Sequence, residues 1–201
     1  MAELPLAGLR VVEFTHMVMG PTCGMILADL GAEVIKIETR DGDNMRHVGP
    51  LRHAGMGHLY LNLNRGKRCI VLDLKSSDGH EAMMRLVKTA DVLVYNVRPS
   101  AMARLDLSYE QVRAVNARLI YAGCYGYSER GPYAGRAAYD DLIQGATGLP
   151  WMASNAGKDT PRYVPINLAD RITGLHVVYA VSAALFHRER SGEGQAVEVP
   201  M

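Results

Sequence analysis

The side chain with the most chemical potential in this sequence is a single carboxylate. Asp170 stands in Asn167-Leu168-Ala169-Asp170-Arg171-Ile172-Thr173-Gly174, where a loop containing Pro165 gives way to a proline-free, aliphatic run from 171 to 189. An aspartate at a helix start is ordinarily an N-cap, its oxygen accepting an orphan backbone N–H. The other use of a carboxylate there is as a nucleophile that forms covalent acyl intermediates. Taken alone, the residues favour the cap. A second set is cationic: Arg40, Lys75 and Arg98 follow predicted strands closely, and Arg104 lies on the helix after one of them. Four cations on one rim suit a phosphate-rich ligand, although each alone reads as a solvated charge. Cys124 and Ser128 have no histidine nearby in sequence and read as structural. Tyr121, Tyr125, Tyr127, Tyr133 and Tyr139 cluster late in the chain and either line a pocket or pack its edge.

Other chemistries are disfavoured. Twenty-two Lys and Arg against 21 Asp and Glu leave a net charge of +1, which offers no field for nucleic acid. His47, His53 and His58 lack helix-face metal spacing, and Cys23, Cys69 and Cys124 form no CxxC pair, so no metal site is expected. The three thiols read as reduced and buried. With no basic-then-apolar leader and no membrane-length apolar run, the chain reads as a soluble cytoplasmic protein. Its 201 residues allow one large domain.

The elements that must position these groups alternate. Strands are predicted at 9–14, 33–38, 69–74, 91–95 and 119–122. Helices are predicted from Pro21 to Leu30, over 77–89 capped by Ser77, from Pro99 to Arg104, and over 109–115 capped by Ser108. Residues 40–67 show no period and read as a long functional loop. This alternation predicts an α/β fold with a mostly parallel sheet, whose ligands bind beyond the carboxyl ends of the strands. Gly20 and Gly24 do not make a GxGxxG turn, which weighs against a nicotinamide-dependent oxidoreductase. Gln195–Val199 alternates like a strand just before the last residue, so the sequence reads as part of a longer chain.

Together these stretches resemble the class III coenzyme A transferases, the family of formyl-CoA transferase and carnitine CoA-transferase. The resemblance is carried by Gly8–Phe14, Gly20-Pro21 with Leu27–Glu38, Asn64–Arg68 followed by Leu72–Lys75, Asp91–Val94 with Asn96 and Arg98-Pro99, Gly131–Tyr133 with Arg136 and Tyr139-Asp140, Asp170 with Gly174, and Gly192–Gln195. It runs from residue 5 to the end, and members are roughly double this length.

The resemblance implies a Rossmann-like large domain that binds coenzyme A as substrate, with no tightly bound cofactor, and interlocked homodimers. Residues 1–201 would be the N-terminal part of that domain, with the small domain and C-terminal return outside this chain, so the piece alone is expected to be inactive. Position by position it implies Asp170 as the catalytic aspartate. His16 and Val18 would lie along the thioester arm, and Leu72, Lys75, Asn96, Val97 and Arg98 beside the adenine. Arg104 would meet phosphate, and Arg136, Tyr139 and Asp140 would close over the pantetheine arm. Val18 is apolar where formyl-CoA transferase carries an amide, which argues against a formyl/oxalyl pair. Arg40, beside Thr39, stands in for an arginine of that enzyme. Acyl-CoA racemases share the scaffold but place histidine where this chain has Tyr139, and an ordinary tyrosine, with pKa about 10, is a poor acid/base partner at neutral pH. Transfer from an acyl-CoA to a small carboxylic acid is therefore the expected reaction, with racemisation or a non-catalytic CoA-binding fragment as alternatives.

Overall fold

A computed structural model describes residues 3–154 and 157–201. Six strands form one sheet: β1 (Arg10–Phe14), β2 (Glu33–Glu38), β3 (Arg68–Val71), β4 (Val92–Tyr95), β5 (Ile120–Tyr125) and β6 (Gln195–Pro200). Their order is β3-β2-β1-β4-β5-β6 and every neighbouring pair is parallel. The expected α/β sheet is present. Chain order reverses between β1 and β4, the switch point where open parallel sheets leave a crevice for ligands.

Alternate residues of each strand supply two cores. Val11, Val34, Val94, Ile120 and Cys124 pack under α1 (Met19–Asp29) and α8 (Leu168–Ser191). Val12, Ile35, Leu93 and Tyr121 pack with Met83 and Val87 of α3 (Ser77–Thr89), Met102 of α4 (Pro99–Arg104) and Val112 of α5 (Tyr109–Val115). Helices α1 and α8 approach closely at Gly174, where a Cβ would stand 2.7 Å from the Met19 carbonyl oxygen.

The local differences from expectation have physical causes. Helix α1 begins at Met19, so Pro21 occupies its third position, where the missing N–H is no loss. The aperiodic stretch 40–67 contains a 3-10 turn at Asn44–His47 and α2 (His58–Leu63), a helix too short to show a period. Ser76, not Ser77, caps α3 by accepting the Gly79 N–H at 3.1 Å. Strand β3 stops at Val71, and β5 continues to Tyr125. Two helices lie beyond what the pattern revealed: α6 (Asp140–Ala146) and α7 (Leu149–Ala153). Ser108 does cap α5, in a reciprocal capping box with Gln111.

Candidate active site

The N-terminus of α8 lies on the carboxyl-end rim of the sheet, because the helix runs back to feed parallel β6. Leu168 is its first residue and Asn167 its N-cap, which makes no side-chain cap bond. Asp170 is therefore the third helical residue and not the cap. Capping comes from another helix: the buried Asp140, first residue of α6, accepts the Asp170 N–H on Oδ2 at 2.8 Å. Its Oδ1 accepts from Gln144 Nε2 at 2.6 Å, and Gln144 Oε1 accepts the Val164 N–H at 2.9 Å. The loop entering α8 and α6 are thus tied together. Among the described residues, the Asp170 carboxylate itself has neither a hydrogen-bond nor an ion-pair partner.

Burial, and secondarily the Asp140 charge, push the Asp170 carboxyl up to about 6, against the weaker pull of Arg171. A free aspartate and a helix N-terminus would both keep it ionised well below that. Desolvation wins here, because the helix contribution is only about 0.3–1 kcal/mol. At neutral pH the group is still mostly ionised and lacks the hydrogen bonds that would blunt it as a nucleophile.

Four adjoining cavities follow the rim. The first, about 330 Å³, is lined by His16, Asn96, Val97, Arg98, Arg136 and Tyr139 among others. It shares His16 and Val97 with a second of about 250 Å³ between the ends of β1 and β2. That one shares Phe14 and Thr39 with a third of about 570 Å³, which reaches Arg40, Leu72 and Lys75. The fourth, about 370 Å³, shares Lys75 and Leu105 with the third and adds Arg104 and His80. Ten of the sequence-selected residues thus fall on one trough across the switch point. Arg40, Lys75, Arg98, Arg104 and Arg136 are exposed and have no ion pair among the described residues. That leaves them available to an anionic ligand.

Three selected residues sit elsewhere. Asp140 and Asp170 line none of these four cavities. The Val18 side chain is buried with Met45, Tyr60 and Leu63, so only its backbone can meet a ligand. Asn96 lines the first cavity, but its amide is engaged: Oδ1 accepts the His16 N–H at 3.0 Å and Nδ2 donates to the His16 carbonyl at 2.7 Å.

Of the other candidate nucleophiles, Cys124 falls away: it is buried and burial pushes its thiol well up. Tyr121 belongs to the core and donates to the Leu107 carbonyl at 2.8 Å, whereas Tyr125, Tyr127 and Tyr139 line the first cavity. Among the described residues no group of three or more His, Cys, Asp or Glu could hold a metal ion, and no helix is long and apolar enough to cross a membrane.

The sequence reading missed the charged cluster under this rim. Its signal was visible: Glu13 interrupts Val11-Val12 and Phe14, Lys36 interrupts Ile35 and Ile37, and the two are register partners. A charge in the middle of an otherwise apolar parallel strand is buried and must be paired.

A parallel α/β sheet ordered 3-2-1-4-5-6, with a carboxylate near a helix start and a cation-lined trough on the same rim, makes this a Rossmann-like domain. The chain belongs to CoA-transferase family III, whose model matches residues 6–201. It is 41% identical over 205 residues to a succinate–glutarate CoA-transferase of Agrobacterium fabrum, covering 98% of this chain and 51% of that protein. It is 39% identical over 202 residues to a formyl-CoA:oxalate CoA-transferase of Escherichia coli, covering 98% and 47%. The crystal structure of a CAIB/BAIF family protein from Brucella suis superposes with a TM-score of 0.91 at 37% identity, covering 99% of this chain and 53% of that one. The chain spans about half the length of the curated relatives it matches.

Proposed function

We propose that this chain is the N-terminal part of an enzyme that moves coenzyme A from an acyl-CoA to a carboxylic acid, with Asp170 as the covalent carrier. The observation that carries the proposal is the Asp170 carboxylate. It is without a partner among the described residues, desolvated, and held by its own backbone on the rim that carries the trough.

In this reading the ionised Asp170 attacks the donor thioester carbonyl, forming a mixed anhydride and releasing CoA thiolate. The thiolate attacks the aspartyl carbonyl, giving an aspartyl-CoA thioester and the free donor acid. The acceptor carboxylate attacks that thioester, forming a second anhydride and again freeing the thiolate. Thiolate attack on the acceptor acyl carbon gives the product and restores Asp170. Each exchange trades one activated acyl bond for another, so a carboxylate can run the cycle without an external energy source. Water must be kept away, because both intermediates hydrolyse. The stretch from Tyr125 to Tyr139, a partner chain and segments beyond these 201 residues would supply that shield.

The exposed cations accommodate the ligand's phosphates. Arg104 and Lys75 would take the nucleotide end, and Arg136 and Tyr139 the arm nearer Asp170. Tyr139 in place of a histidine supports transfer over racemisation. An interlocked homodimer is part of the proposal. Supporting it is a row of apolar side chains on the open face of α8, Ile172, Leu175, Tyr179 and Phe186, the last 66% exposed. A soluble cytoplasmic setting is supported by the three free cysteines, of which Cys23 and Cys124 are buried while Cys69, against expectation, is exposed. The test is to incubate the full-length protein with an acyl-CoA and an acceptor acid, then trap with hydroxylamine. A hydroxamate at residue 170 is expected. Its absence while transfer proceeds would refute the covalent role.

A further inference from the structure

Beneath the switch point lies a set of buried charges for which the reaction has no use. Lys36 Nζ is 3.2 Å from Glu13 Oε1 and 3.1 Å from Asp43 Oδ2, and Lys67 Nζ is 2.8 Å from Glu13 Oε2; the four side chains are buried. Two cations balance two carboxylates. Desolvation pushes the Glu13 carboxyl up, but Lys67 and Lys36 outweigh it and hold the group below its ordinary value. Gly24 makes room, since a Cβ there would overlap the Glu13 carboxylate. Stability alone does not explain such a cluster, because well-packed apolar residues commonly match or exceed buried ion pairs.

What the cluster touches is the turn after β1. Lys36 Nζ donates to the Thr15 carbonyl at 2.8 Å, and Asp43 Oδ1 accepts the Met17 N–H at 3.1 Å and the Met45 N–H at 3.0 Å. Met17 has φ 69°, a left-handed conformation that a non-glycine residue keeps only when its surroundings enforce it. Asn96 holds both sides of His16, and the Val18 carbonyl accepts from the Thr22 N–H and hydroxyl, each at 2.8 Å. Every residue from Thr15 to Val18 is therefore pinned by a named group.

We infer that Lys36 and Asp43 are positioning residues, which hold the turn Thr15–Val18 in the strained shape that presents its backbone to the ligand. The purpose of the turn rests on the transferase reading; what holds it does not.

Two variants of the full-length protein separate the readings, with amide hydrogen exchange read beside steady-state kinetics. In Asp43→Ala, exchange at Met17 is expected to rise about tenfold or more while Val12 and Leu93 in the sheet keep their protection. Transfer should fall about 100-fold, in kcat more than in KM for the acyl-CoA. Lys36→Met with Asp43→Leu leaves the balanced Glu13–Lys67 pair. It should lower the urea midpoint no further than Asp43→Ala does, yet show the same exchange and kinetic defects. Unchanged Met17 exchange, or wild-type transfer by the double variant, overturns the inference. So does loss of folding in both variants, which would make the cluster a stability element only. Should the wild type show no transfer, the transferase reading fails while the exchange result still decides the positioning role.

Discussion

Across 30 residues of chain, Asp140 accepts the backbone N–H of Asp170 at 2.8 Å and so does the work of an N-cap for a helix to which it does not belong. This frees the carboxylate of Asp170 from capping its own helix. It also sets a second negative charge nearby, which adds to desolvation in raising the Asp170 carboxyl.

Removing that acceptor has two readable effects. Asp140→Ala should destabilise the fold by about 0.5–2 kcal/mol, the usual range for losing a cap acceptor, measured by urea denaturation. It should also move the acid limb of the transfer rate to lower pH, because one of the two causes raising Asp170 is gone. A limb that stays put would show that desolvation alone sets it.

The pH–rate profile of the full-length protein tests the proposed role of Asp170 directly. An ionised nucleophile with its carboxyl near 6 requires kcat/KM to fall about tenfold per pH unit below that value. An acid limb close to 4 in the free enzyme would mean that the desolvated carboxylate does not govern the rate.

On the proposed reading, Asp170→Asn should abolish transfer by the full-length protein and stabilise the fold. The sign follows from linkage: the folded carboxyl lies above its ordinary 3.8, so the folded state disfavours the charge. That penalty is absent below about pH 4, grows as pH rises through about 6, and is full at neutral pH, where it amounts to about 1–3 kcal/mol. Urea denaturation at pH 7.5 should show the gain and denaturation at pH 3.5 should not. Equal stability at both values would contradict the assigned burial.

Gly174→Ala sets two effects against each other. Helix propensity favours alanine by about 1 kcal/mol. Its Cβ, however, would stand 2.7 Å from the Met19 carbonyl oxygen and from Thr22 Cβ, forcing α1 and α8 apart. Overpacking of this kind costs about 1–3 kcal/mol, so a lowered melting temperature is expected. A raised one would show that the helices slide apart freely.

How much was readable beforehand depended on how far each signal reached along the chain. The strands were legible because Val11-Val12, Val34-Ile35 and Val92–Val94 are buried on both faces and read as unbroken apolar runs. The capping box at Ser108 was legible because both partners lie within one turn. Helix α2 was not, since six residues cannot display a period of 3.6. Asp170 drew attention as a helix-start carboxylate, but its freedom from capping depends on Asp140, and no local rule connects positions 140 and 170. The trough residues were gathered by the topological rule for parallel sheets, which places strand ends together without saying which side chains are already spoken for.

Asn96 shows what that last distinction implies. It borders the trough, yet both ends of its amide are committed to His16. In a mutational survey every replacement of Asn96 would weaken binding, whatever its size or polarity, because each releases the neighbouring turn, whether or not the amide also meets the ligand. A direct contact would in addition discriminate among ligand analogues, and that contrast separates the two roles.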